Sequence, residues 1–65
     1  MIITINGNSE EISDGSILTY IKGKGLAPEA LVVEHNYKIV KKDKWDQTLL
    51  QENDNLEILS FVGGG

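Results

Sequence analysis

The residues best placed to do chemistry are the last three, Gly63, Gly64 and Gly65. They have no side chains, so the group on offer is the carboxylate of Gly65. Glycine lacks a Cβ and enters backbone conformations closed to other residues, so such a tail fits a channel too narrow for any side chain. Fully extended, three residues reach roughly 10 Å at about 3.3 Å each. The carboxylate can then enter another protein's active site while the folded body stays outside. On composition alone a frayed end or a linker remnant fits better. Two features favour a working tail: the chain begins at Met1 with no tag, and the glycines follow an apolar stretch, residues 56–62, without a polar linker.

The other candidates are weaker. There is no cysteine, hence no disulfide framework and no thiol nucleophile. His35 is the only histidine. It falls in a turn with no second ligand at metal spacing, which reads as a surface residue. The acidic balance comes from Glu10, Glu11, Asp14, Glu52, Asp54 and Glu57, among others. No pair of these has a histidine or lysine partner that spacing alone can place, so no acid–base role is assigned. Lys38, Lys41, Lys42 and Lys44 form the basic cluster. It reads as a solvated face, or else as a dock for an acidic partner. Trp45, in the same stretch, reads as a packing anchor under a loop.

The elements that must carry the tail follow from periodicity. Residues 1–5 alternate, with Ile3 and Ile5 on one face, and predict a strand. Asn6-Gly7 tolerates the positive φ of a type I′ turn and marks a hairpin. The return strand is expected at 9–12, where Glu10 and Glu11 suit a solvated edge. Ser13-Asp14-Gly15-Ser16 supplies helix caps. A short helix is expected over 16–24, with Leu18 and Ile21 toward the sheet and Gly25 at the left-handed position after it. Gly23 costs about 1 kcal/mol relative to alanine there, which loosens the last turn. Ala27-Pro28-Glu29 is a loop. Strands follow at 31–34 and 38–40, then a polar stretch at 41–47 with room for one helical turn. The turn Glu52-Asn53-Asp54-Asn55 leads into a last strand at 56–62.

This order predicts an α+β layer, a mixed sheet of about five strands with one main helix on one face. The first and last strands lie parallel at its centre. With a period of two, Leu56 and Ile58 face the helix, while Leu59 and Phe61 face the uncovered side. Together with Val62 they form an apolar patch leading to the glycines, a candidate docking surface for a partner. Residues 1–62 are the domain and 63–65 the tail.

Sixty-five residues allow one small domain with no room for both a core and a deep enclosed active site. The net charge is −4 with all six basic residues lysine, which argues against nucleic-acid binding. No apolar run approaches membrane-spanning length and no basic-then-apolar leader precedes the first strand. A soluble cytoplasmic protein is expected.

Particular residues then carry a resemblance. Ile2-Ile3-Thr4-Ile5-Asn6-Gly7, Val32-Val33-Glu34-His35-Asn36 with Ile39-Val40, Trp45, Asn53-Asp54-Asn55-Leu56-Glu57-Ile58 and, most specifically, Phe61-Val62-Gly63-Gly64-Gly65 resemble the ThiS family, the sulfur carriers of thiamine biosynthesis. The resemblance covers nearly the whole chain. It implies the β-grasp, ubiquitin-like fold. It also implies that an E1-like, ThiF-like adenylyltransferase joins the Gly65 carboxylate to AMP at the expense of ATP. A persulfide donor then leaves a thiocarboxylate, and a ThiG-like thiazole synthase takes the sulfur. Gly63 and Gly64 would lie in the partner's active site. The chain would be a carrier rather than an enzyme and would bind no cofactor. The departures are Lys41-Lys42 where the family often has Pro-Arg, and Tyr37 and Asn53 where it often has glycine. The lysines keep the positive charge and lack the guanidinium fork.

Three other functions share parts of this pattern. They are the small subunit of molybdopterin synthase, a protein-conjugating ubiquitin-like modifier, and a β-grasp binding module with an inert tail. The Phe-Val-Gly-Gly-Gly ending and the placement of Trp45 favour the thiamine carrier over the first.

Overall fold

The computed structural model describes residues 1–61. Five strands and one α-helix follow the expected order: β1 (Ile2–Ile5), β2 (Asn8–Glu11), α1 (Ile17–Gly23), β3 (Leu31–His35), β4 (Lys38–Val40) and β5 (Asn55–Ser60). Short 3-10 turns at Pro28–Ala30 and Lys42–Lys44 complete the set. The second occupies the polar stretch where one helical turn was expected; the first lies in what reads as a plain loop. The strands form one sheet in the order β2-β1-β5-β3-β4. β1 and β5 are parallel and the other neighbours antiparallel. Among the described residues, no helix is long and apolar enough to cross a membrane.

Element boundaries differ from the sequence expectation by one or two residues, most clearly at β2 and β5. β2 starts one residue early, at Asn8, because the two-residue turn Asn6-Gly7 pairs Ile5 directly with Asn8. β5 spans Asn55–Ser60 rather than 56–62. Its last pairing partner is Leu31, the first residue of β3, so the ladder has nothing to continue on. One further bond, from the N–H of Phe61 to the C=O of Ala30 at 2.9 Å, extends the contact past the strand.

The helix is short, and its ends are defined by side chains and backbone together. Ser16 is the N-cap, and its Oγ accepts the N–H of Thr19 at 3.1 Å. At the other end Gly25 has φ +72. Its N–H bonds the C=O of Lys22, and the N–H of Leu26 bonds the C=O of Ile21, the two bonds of a Schellman motif. Gly23 stays helical up to that point, so the last turn is closed rather than loose. Seven residues are too few for an isolated helix to persist, so packing must hold it. Its buried residues are Ile17 and Ile21, one turn apart. Leu18, expected beside Ile21, is half-buried at the margin, and Ile17 takes the central place.

Ile3, Ile5, Ile17, Ile21, Val33, Trp45, Leu50 and Leu56 make the core. Trp45 anchors the run after β4, and its Nε1 donates to the C=O of Val40 at 2.8 Å. That run then closes over the start of the helix. Ile17 N–H bonds the C=O of Thr48, and Leu50 N–H bonds the C=O of Gly15. The β2 edge is tied to the helix by polar groups. Tyr20 Oη donates to Glu10 at 3.1 Å, and Lys24 Nζ lies 2.6 Å from the same carboxylate. Lys24 holds the Glu10 carboxyl below the ordinary range, with Tyr20 assisting against partial desolvation. Burial, reinforced by Glu10, pushes the Tyr20 phenol up to about 12.

Candidate functional site

β5 is the central strand, and everything that could present the tail converges on it. Its helix-side residues, Leu56 and Ile58, pack into or against the core. On the other side Leu59 lies opposite Val32, and Glu57 lies opposite Glu34, which in turn neighbours Ile39 of β4. The alternation expected from sequence therefore holds. Leu59 is 57 % and Phe61 47 % exposed, and Ile39 is also exposed. No element covers this face among the described residues. An apolar patch at the end of the last strand is what a docking surface requires. Glu34 and Glu57, directly opposed on it, add like charges that cost stability in a sheet. Val62, Gly63, Gly64 and Gly65 lie outside the described residues.

Two asparagines grip β5, Asn6 and Asn36, and from sequence Asn6 reads only as a turn residue. Asn6 has φ +49 and Gly7 φ +85, the type I′ pattern. The Asn6 side chain reaches β5: Oδ1 accepts the N–H of Ile58 at 2.7 Å, and Nδ2 donates to the C=O of the same residue at 3.1 Å. Asn36 and Tyr37 repeat the pattern, with φ +52 and +71. Asn36 Oδ1 accepts the N–H of Asn55 at 2.8 Å, and its backbone N–H bonds the C=O of Asn55. The Asn-Gly dipeptide signals such a turn from sequence. A side chain bridging to a strand 52 residues away leaves no local signal.

His35 sits at the start of β5 instead of standing free. Its Nε2 lies 2.7 Å from Asp54 Oδ2. Asp54 also accepts the N–H of Gln51 at 2.9 Å and the Asn36 amide at 3.2 Å. Burial raises the Asp54 carboxyl pKa, but these donors outweigh it and hold the group below its ordinary value of 3.8. The cluster is structural: it locks the β3–β4 turn onto the turn before β5. Among the described residues there is no group of three or more potential ligands that could hold a metal ion. The lysines at 38, 41, 42 and 44 are exposed and make no ion pair among the described residues.

Tyr37 and Asn53, the two positions noted for lacking glycine, both have positive φ, +71 in each case. Asparagine tolerates the left-handed region; tyrosine does so at a cost.

Comparisons with known proteins place this geometry. The model of the ThiS family matches residues 3–65. The sulfur carrier protein ThiS of Bacillus subtilis is 33 % identical over 51 residues, which cover 78 % of this chain and 77 % of that one. A thiazole synthase of Magnetococcus marinus is 36 % identical over 66 aligned positions, covering all of this chain and 20 % of that protein. The chain thus spans about a fifth of the length of the thiazole synthases it matches. The crystal structure of the thiamine biosynthesis protein ThiS from Geobacter metallireducens superposes with a TM-score of 0.86 at 26 % identity, over the whole of both chains. The chain belongs to the ThiS family, and its mixed sheet with one helix across it is the β-grasp fold.

Proposed function

We propose that this chain is a sulfur carrier of thiamine biosynthesis and that Gly65 bears the sulfur. The observation that carries the reading is the family match, which runs through residue 65 and so includes the Gly63-Gly64-Gly65 ending. A carboxylate is a poor electrophile. An E1-like adenylyltransferase removes that barrier: the Gly65 carboxylate attacks the α-phosphorus of ATP, pyrophosphate leaves, and a mixed anhydride with AMP forms. The terminal sulfur of a persulfide attacks the acyl carbon and AMP departs, leaving an acyl disulfide. A thiol then attacks the donor-side sulfur, releasing the thiocarboxylate and forming a new disulfide. Thiazole synthase receives the sulfur. Relatives in which a stretch like this chain is one-fifth of a thiazole synthase support that recipient. The carrier supplies no acid, base or metal, and ATP is consumed by the activating enzyme. Its own part is presentation: Leu59, Phe61 and Val62 dock, and the glycines reach.

Intact mass after incubation with the activating enzyme, ATP and a persulfide donor tests this. The expected shift is replacement of one oxygen by sulfur at the C-terminal residue, abolished when Gly65 is deleted. An unchanged mass with a demonstrably active enzyme would sink the proposal. The docking surface is tested by Phe61→Asp, which should weaken binding to the activating enzyme about tenfold or more, as loss of an aromatic anchor does. Unchanged affinity of the folded variant counts against it.

A further inference from the structure

β1 ends before β5 does. The last β1–β5 pair is Ile5 with Leu56, yet β5 continues to Ser60. On its other side β5 is paired by β3 through Leu31 and Ser60. The final residues of the strand would therefore be held from one side only, were it not for Asn6. Its backbone N–H bonds the C=O of Leu56 at 2.9 Å, and its carboxamide then supplies both an acceptor and a donor to Ile58. One side chain thus supplies both hydrogen bonds that a longer parallel β1 would give Ile58, after the backbone has already turned away. The position asks for two properties at once. The residue must tolerate φ +49, and its side chain must offer a donor and an acceptor. Asparagine meets both; aspartate offers acceptors only, and glycine offers neither.

We propose that Asn6 is a positioning residue for the C-terminal glycines. It fixes the β1 side of β5 at Ile58, three residues before Phe61, where β3 holds only the other side, and so helps to set the direction in which the chain leaves the sheet. This rests on the carrier reading above. A carboxylate that must meet ATP in another protein's active site needs a defined origin, because small misplacements of reacting groups cost large factors in rate.

Asn6→Gly isolates the clamp, since glycine keeps the turn and the backbone N–H while removing the carboxamide. Retained near-ultraviolet signal from Trp45 confirms the fold. In the folded variant, amide exchange at Ile58 should speed up about tenfold, the loss of roughly one hydrogen bond, while Ile3 and Val33 keep their protection once global stability is allowed for. Pyrophosphate release with the activating enzyme should show kcat down about tenfold and KM changed less than twofold, because the docking face is still present. Asn6→Asp, which keeps the acceptor, should fall between. A role in stability alone predicts unchanged kcat for the folded fraction, and that result overturns the proposal. So does unchanged exchange at Ile58. If the wild-type chain is not adenylated at all, the carrier reading fails and the tail-positioning role falls with it, while the Ile58 contrast still decides whether Asn6 clamps the strand.

Discussion

Asn6-Gly7 and Asn36-Tyr37 are the same turn built twice, on opposite sides of one strand. Each has two residues at positive φ, and each spends its asparagine side chain on β5. The difference lies in what surrounds the grip. Asn36 holds Asn55, the first residue of the strand, inside a network with Asp54, His35 and Gln51. Asn6 holds Ile58 with an exposed side chain and, among the described residues, no supporting network. The start of β5 is locked by several mutually dependent side-chain bonds, whereas on its β1 side Ile58 is held by one replaceable side chain, with β3 pairing the strand through Ser60 on the other side. The side-chain grip at the start of β5 is thus redundant, and the grip at Ile58 on the β1 side is not. The second turn position differs too. Gly7 adopts φ +85 freely, whereas Tyr37 adopts φ +71 while 77 % exposed, so little packing offsets the strain.

The largest expected effect comes from breaking the locked end. Asp54→Ala leaves three donors, from His35, Gln51 and Asn36, without their acceptor. It should cost about 2–3 kcal/mol in urea unfolding, a large share of what a domain this small has. A loss below about 0.5 kcal/mol would mean that the network at the start of β5 holds no more firmly than the single grip at Ile58.

Acid should reach the same end next. The folded Asp54 carboxyl has a pKa below its ordinary value of 3.8. Its contribution is therefore present above that value and lost as pH falls through the lower folded pKa. Wild-type stability should decline below about pH 4, and Asp54→Asn should be weaker at neutral pH with a shallower acid slope between pH 4 and 2. Equal slopes would show that other carboxylates govern acid unfolding.

The smallest effect sharpens the contrast at the second turn position. Tyr37→Gly should stabilise the fold by about 1 kcal/mol through relief of the left-handed tyrosine, less the entropy that glycine adds to the unfolded chain. Destabilisation would mean that Tyr37 makes compensating contacts. The matching change in the other turn, Gly7→Tyr, should destabilise by a similar amount, since nothing lies within 4 Å of the position to reward a side chain.

Much of the fold was legible in sequence because its signals are local. Ile3 and Ile5 alternate with Ile2 and Thr4, Asn6-Gly7 marks the first hairpin, Ser16 caps the helix and Gly25 closes it. The parallel placing of β1 beside β5, and the uncovered face bearing Leu59 and Phe61, followed from element order and period. What escaped was of another kind. Whether Ile17 or Leu18 takes the centre of the helix face depends on how a seven-residue helix rotates against the sheet, which periodicity leaves open by one position. Where β5 stops depends on where β3 begins. The Asn36-Tyr37 turn lacked its usual glycine and left only a weak mark.

The sequence by itself therefore determined the element order, the two faces of the central strand and the glycine-only ending, since all three rest on neighbours in the chain. Only the tertiary structure decided that His35 meets Asp54 across 19 residues and that Asn6 meets Ile58 across 52. Such pairs form when the closed sheet brings distant backbones within hydrogen-bond reach, and no local preference specifies which polar side chain will be there. The tail is thus a local feature of the sequence, and the grip on the strand that carries it is a product of the fold.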